Sequence, residues 1–279
     1  MSLTPALPPR ASPTSYLFID GGSFMQSLQR VWDRYFGGDQ PPLDWLAIRG
    51  SHRKVFYYDA IPVQQASEDD NTHAARVAPK RAELAHIERQ KGFHVRTGDV
   101  RHRRRRGNEQ KMVDVQLSVD ALLTASRGVF SECTIITGDL DFKPLLTALV
   151  DMGVDVSLVY PSGETNEELM AAADSAVPID IQMCLGWVEN SYPAKKLLPW
   201  GQYTFSSGAL PVQGSLFNWN DSAFGQCLVR THDGVSFEVL TEIAPNMPSH
   251  RLVLTGKDKK MLRTYSEDVF HLNIPEQGW

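Results

Sequence analysis

The chain's 279 residues are 42% hydrophobic and 22% charged, a globular balance too long for most single cores, so an α/β domain with a smaller companion is the starting expectation. Its 28 Lys and Arg against 33 Asp and Glu give a net charge of −5, which excludes the overall basic excess of a protein that coats duplex DNA and confines any nucleic-acid contact to a local patch. The absence of any run of about 18 apolar residues, or of an apolar segment near the N-terminus, argues against a membrane span and a secretory signal and points to a cytoplasmic protein.

Residues 1–15, with Pro5, Pro8, Pro9 and Pro13 among Ser, Thr and Ala, bury too little to offset ordering entropy and read as a flexible leader. Tyr16-Leu17-Phe18-Ile19 then reads as a buried strand ended by Asp20-Gly21-Gly22, with a helix over 23–36. The alternation recurs: strand 55–58, helix 74–90 ended by Lys91-Gly92, strand 93–95, helix 112–126, strand 133–137, helix 142–152 closed by Gly153, strand 154–159, helix 164–173, and a short strand at 177–181. Parallel returns need crossover helices, so residues 16–187 are expected to form a doubly wound parallel sheet with helices on both faces. Residues 188–279 carry six scattered prolines and short apolar runs such as Phe237-Glu238-Val239-Leu240, which predict a small, mostly β domain. Its Trp200, Trp219 and Trp279 read as core rather than as base-stacking platforms. Cys133, Cys184 and Cys227 stand far apart with no C-x-x-C pair, and read as buried small hydrophobes rather than zinc or disulfide partners.

In open α/β sheets ligands bind at the carboxyl ends of strands, where strand order reverses. Asp20 ends the first strand, and Asp139 and Asp141 follow strand 133–137 within Thr137-Gly138-Asp139-Leu140-Asp141-Phe142. If those strands are neighbours, three carboxylates converge at one mouth, an arrangement that like-charge repulsion disfavours unless a divalent cation lies between them. Helix capping alone explains one such aspartate; three, with Gly21 and Gly138 beside them for close backbone approach, point further. Asp114, near the start of an apolar helix, is the expected fourth carboxylate. Asp120, six residues on, lies on a face about 120° away and is expected to hydrogen-bond a neighbouring turn or pair with a base.

Asp20-Gly21-Gly22-Ser23-Phe24, Lys111-Met112-Val113-Asp114, Asp120 and the Thr137 to Phe142 segment, followed by Pro144-Leu145-Leu146 and Gly153-Val154-Asp155-Val156, resemble the successive motifs of NYN domains, and more narrowly the LabA-like branch of the PIN-like nuclease superfamily. The resemblance covers residues 16–185. It implies a PIN-like α/β fold with strand order 3-2-1-4-5 and Mg²⁺- or Mn²⁺-dependent cleavage of RNA. Asp20, Asp114, Asp139 and Asp141 match its acidic metal-site positions, with Ser23, Asp120 and Thr137 in supporting places. Two positions depart from the pattern: Ser23 stands where Asn is usual, and Leu140 where Ser is common.

The expected activity is a metal-dependent endoribonuclease, in which carboxylate-held cations stabilise charge on the phosphate and help generate the attacking water. Asp20, Asp139 and Asp114 hold the principal ion in this reading, and Asp141 completes the shell or orients the water. Arg101, Arg103, Arg104, Arg105 and Arg106, set between a strand and the Asp114 helix, are the expected phosphate clamp for single-stranded or structured RNA, with Lys111 and Lys143 adding contacts. A homo-oligomer is left open. The alternatives are a noncatalytic RNA-binding adaptor and a DNA or flap-type nuclease. A haloacid-dehalogenase phosphatase is excluded, because Gly21-Gly22 follow Asp20 where its motif needs a second Asp two residues on.

Overall fold

A computed structural model describes residues 14–65, 67–98, 108–163, 165–196, 203–211, 214–231, 234–244, 247–277 and 279. They form two compact units, one holding the chain up to Ser27 and Trp45–Ile179, the other Leu28–Asp44 and Asp180–Trp279. In chain order the elements are β1 (Ser15–Asp20), α1 (Gly21–Phe36), α2 (Trp45–Arg49), β2 (Lys54–Asp59), α3 (Asp70–Glu88), β3 (Phe93–Thr97), α4 (Asn108–Ser126), β4 (Glu132–Ile136), α5 (Lys143–Asp151), β5 (Asp155–Pro161), α6 (Glu167–Met170), β6 (Ser175–Ile179) and α7 (Ile181–Trp187). Five strands follow: β7 (Thr204–Ser207), β8 (Ser215–Asp221), β9 (Gly225–Thr231), β10 (Phe237–Thr241) and β11 (His250–Gly256), then α8 (Lys259–Phe270). Among the described residues no helix is long and apolar enough to cross a membrane.

In the first unit the sheet is parallel, with order β3-β2-β1-β4-β5-β6. This is the expected 3-2-1-4-5 order, extended at one edge by the short strand anticipated near Val177. Side chains alternate between faces along each strand. Phe18, Ile135 and Leu158 pack with Leu117 and Ala121 of α4 and Leu145 and Leu149 of α5. On the opposite face Trp45 of α2 meets Tyr57 and Phe93 edge-on, each at 5.8 Å between ring centres. Fully burying each large apolar side chain contributes about 1.5–3 kcal/mol, so the central strands are the firmest part of the unit.

Several boundaries differ from the sequence pattern. α3 starts at Asp70 because the Asp69 carboxylate accepts from the Asn71 and Thr72 N–H groups, four residues before the apolar periodicity begins. α6 is one turn, Glu167–Met170, capped by Asn166, rather than a helix over 164–173. α2 and α7 are too short to carry a periodic signal, and α7 is set by Asp180, which accepts from the Met183 N–H.

The second unit carries an antiparallel sheet, β7-β11-β10-β9-β8. It also contains α8, which the sequence pattern left unmarked: Asp258 caps its start, and it buries Leu262, Tyr265 and Ser266. Trp219 is buried in β8. Tyr35 Oη donates to Asp268 of α8 at 2.7 Å, and Arg34 forms an ion pair with the same carboxylate. Asp221, 7% exposed, accepts from the Ala223, Phe224 and Asn273 N–H groups at 2.8, 3.1 and 2.8 Å. It thereby ties the end of β8 both to the following turn and to the segment after α8. Asp221→Ala strands three donors, and the expected loss is about 2–3 kcal/mol in urea denaturation; an unchanged midpoint contradicts this anchoring role.

Candidate active site

Strand register brings two acidic segments together. Phe18 lies opposite Ile135 and Ile19 opposite Ile136, so the next residues, Asp20 and Thr137, are neighbours on the face shared with Phe18 and Ile135. The Thr137 hydroxyl donates to Asp20 Oδ2 at 2.9 Å and accepts from the Asp139 N–H at 3.2 Å. The Gly138 N–H donates to Ser23 Oγ at 2.9 Å, and the Ser23 N–H donates to Asp20 Oδ1 at 3.2 Å. Asp20 thus caps α1 while facing the loop after β4. Asp139 in turn accepts from the Asp141 N–H at 2.9 Å and caps the 3-10 turn Leu140–Phe142.

The flanking glycines are sterically required. A Cβ on Gly21 would lie 2.7 Å from the Tyr58 carbonyl oxygen and 2.8 Å from Asp59 Oδ2, and one on Gly138 would lie 2.8 Å from the Pro161 ring. Only hydrogen at these positions lets the Asp20 and Asp139 segments close on their neighbours.

The contact at Gly21 brings in a carboxylate that the sequence reading passed over. Asp59, at the end of β2, has a side chain only 12% exposed, accepts from the Ala60 N–H at 2.7 Å and pairs with Lys80 of α3 at 2.7 Å. The signal was present, since Asp59 ends the apolar run Val55-Phe56-Tyr57-Tyr58 as Asp20 ends its own. Burial first, then the neighbouring charges of Asp139 and Asp59, raise the Asp20 carboxyl above its ordinary value despite the bonds from Ser23 and Thr137. Burial and Asp59 likewise push the Tyr57 hydroxyl well up.

The other expected residues have separate surroundings. Asp114 is half-buried on α4, between buried Val113 and Leu117, and the Asp141 side chain is exposed. Asp120 accepts from Tyr58 Oη at 3.1 Å and lies 3.7 Å from Arg96 Nε. Lys143 pairs with Glu168 of α6 at 2.6 Å, an exposed pair that a phosphate could displace at little cost. Arg101, Arg103, Arg104, Arg105 and Arg106 and the Lys111 side chain lie outside the described residues.

The donor chemistry suits a hard divalent cation. Asp20 and Asp139 offer carboxylate oxygens, and positive charge would relieve the strain that burial and like charges place on Asp20. Among the described residues, no group of three or more His, Cys, Asp or Glu is placed to hold a metal ion, so Asp59, Asp114 and Asp141 do not join Asp20 and Asp139 in one. A cation held there would have two carboxylates from the chain, with water and substrate oxygens needed for its remaining positions.

The NYN domain family model matches residues 17–180. A solved structure of a protein of unknown function from Vibrio parahaemolyticus is similar at 18% identity and a TM-score of 0.46, covering 66% of this chain and 100% of that one. No curated protein matches the chain.

The raised Asp20 pKa fixes the sign of a pH effect. Between the ordinary aspartate value and the raised one, the native state holds more protons than the unfolded chain, so stability falls as pH rises through that window. Asp20→Asn keeps an oxygen acceptor for Ser23 and removes the charge. In chelator it is expected to melt above the parent at about pH 7, with the gap closing below the ordinary aspartate range, near pH 3. A variant that melts lower at neutral pH contradicts the buried-charge account.

Proposed function

The chain belongs to the NYN domain family, within the PIN-like superfamily of nucleases, and from that membership we propose that it is a divalent-metal-dependent endoribonuclease acting at the Asp20 mouth. The observation that carries the reading is the hydroxyl bridge of Thr137, which holds Asp20 and the Asp139 segment side by side at the strand ends. Asp20 and Asp139 would hold Mg²⁺ or Mn²⁺, with Asp114 contributing through water. The bound ion supplies positive charge for the phosphate oxygens and lowers the pKa of water.

The chain's own residues do the rest. Thr137 and Ser23 fix the Asp20 carboxylate through one bond to each oxygen, so little reorganisation is required as substrate arrives. Asp141, exposed on the turn, orients the attacking water and accepts its proton. Water oxygen bonds to phosphorus as the bond to one ribose oxygen breaks, and that oxygen takes up a proton. Lys143 exchanges Glu168 for a phosphate, and the arginines at 101 and 103–106 supply further phosphate contacts.

Purified chain incubated with total RNA is expected to generate fragments in Mn²⁺ or Mg²⁺ and none in EDTA. Asp20→Asn, folded by its melting curve, is expected to lose cleavage. Thr137→Val, which removes only the bridge, should slow cleavage about 10–100-fold. An Asp20→Asn protein as active as the parent refutes the assignment. Tight RNA binding with no metal-stimulated cutting supports the adaptor reading, which the lack among the described residues of three or more acids or other ligands placed to hold a metal favours. Equal cutting of DNA supports the flap-type alternative.

A further inference from the structure

Away from the acidic mouth, the sheet carries a strip of basic and aromatic side chains that the mechanism above does not use. Lys54 and Phe56 of β2 and His94 and Arg96 of β3 share the face of Phe18 and Tyr58, with Phe56 opposite His94 and Tyr58 opposite Arg96. β3 is an edge strand, and all four residues are half-buried. Three rings step outward from the core. Phe18, fully buried, stacks on Phe56 at 5.4 Å and 11°, and Phe56 stacks on His94 at 5.1 Å and 26°.

Two cations flank this stack. The Arg96 guanidinium lies 5.7 Å from the Phe56 ring centre, and its side chain is 39% exposed. Its contact with Asp120 is long, at 3.7 Å. Lys54 makes no ion pair among the described residues. Lys54 to Tyr58 spans about 13 Å of strand at about 3.3 Å per residue, and Tyr58 lies opposite Asp20, so the strip ends at the acidic mouth. In sequence, β3 leads on toward the arginine run at 101–106.

We infer that this strip is a binding subsite for single-stranded RNA, with a base stacking at His94 and phosphates held by Lys54 and Arg96. The inference rests on the nuclease reading, and it assigns the path by which the strand reaches Asp20. The charge complements a polyanion, and a half-buried ring at the outer end of a stack offers a π face to an unpaired base. A duplex hides those faces, so the strip selects unpaired RNA. Burial, with Lys54 and Arg96 acting in the same sense and Glu88 opposing, lowers the His94 pKa, so the ring that meets the base is neutral.

The test is anisotropy of a short fluorescent oligouridylate with the full chain in EDTA, where metal-dependent cutting is suppressed. His94→Ala is expected to weaken binding about tenfold. Lys54→Gln and Arg96→Gln should each flatten the log–log salt dependence by about 0.7. Melting curves confirm that each variant is folded, and ultraviolet crosslinking of the unaltered chain should map to residues 93–97. Folded variants that bind like the parent, crosslinks confined to other segments, or a preference for duplex RNA overturn the strip. If those variants also cut normally in Mn²⁺, the nuclease reading stands without the strip; strip-dependent binding by a chain that never cuts leaves the strip and removes the nuclease.

Discussion

The Thr137 hydroxyl is the hinge-pin of the site. It donates a hydrogen bond to Asp20 and accepts one from the Asp139 N–H, so one side chain joins the end of β1 to the loop after β4. That double use is available only because β1 and β4 are adjacent and in the register that sets Asp20 beside Thr137. The six-stranded order places this pairing at its centre: β1 and β4 are central neighbours, and the chain continues after them into α1 and the Leu140–Phe142 turn. Gly21 and Gly138 then leave room for the segments to close.

The cost of the arrangement is electrostatic. Burying an ionised carboxylate costs several kcal/mol, and Asp139 and Asp59 add repulsion at Asp20. Two features offset it. The core beneath the strand ends, with Phe18, Ile135 and Leu158 fully buried, is strong enough to hold an unfavourable side chain in place. Lys80, anchored by both Asp59 and Glu83, carries positive charge to the acid at the end of β2. Asp20 keeps no basic partner of its own among the described contacts, only two neutral donors, and the proposed cation would offset this imbalance.

Much of this was legible in the sequence because its signals are local. Apolar runs ended by Asp-Gly, with helices between, announce a parallel sheet whose acids gather at the strand ends, and the NYN motifs agree. Asp59 followed the same rule and was missed, since no motif drew attention to it. The Thr137 bridge needs strand register, which a single sequence does not encode visibly. α2 and α7 fall below the length at which periodicity speaks, and α8 mixes buried Leu262 and Tyr265 with Lys259, Lys260 and Arg263, diluting its apolar stripe. The His94 and Arg96 strip was hidden for a different reason: β3 looks like an ordinary alternating strand until its place at the sheet edge is known.

The proposed divalent cation is held by Asp20 and Asp139 together. Electron paramagnetic resonance of Mn²⁺ titrated into the full chain measures this directly, because the free-ion signal falls as the ion is bound. Saturable loss of signal is expected with the parent chain, with free-ion behaviour restored in Asp20→Asn at a pH where both are folded. Equal Mn²⁺ uptake by parent and variant would contradict it.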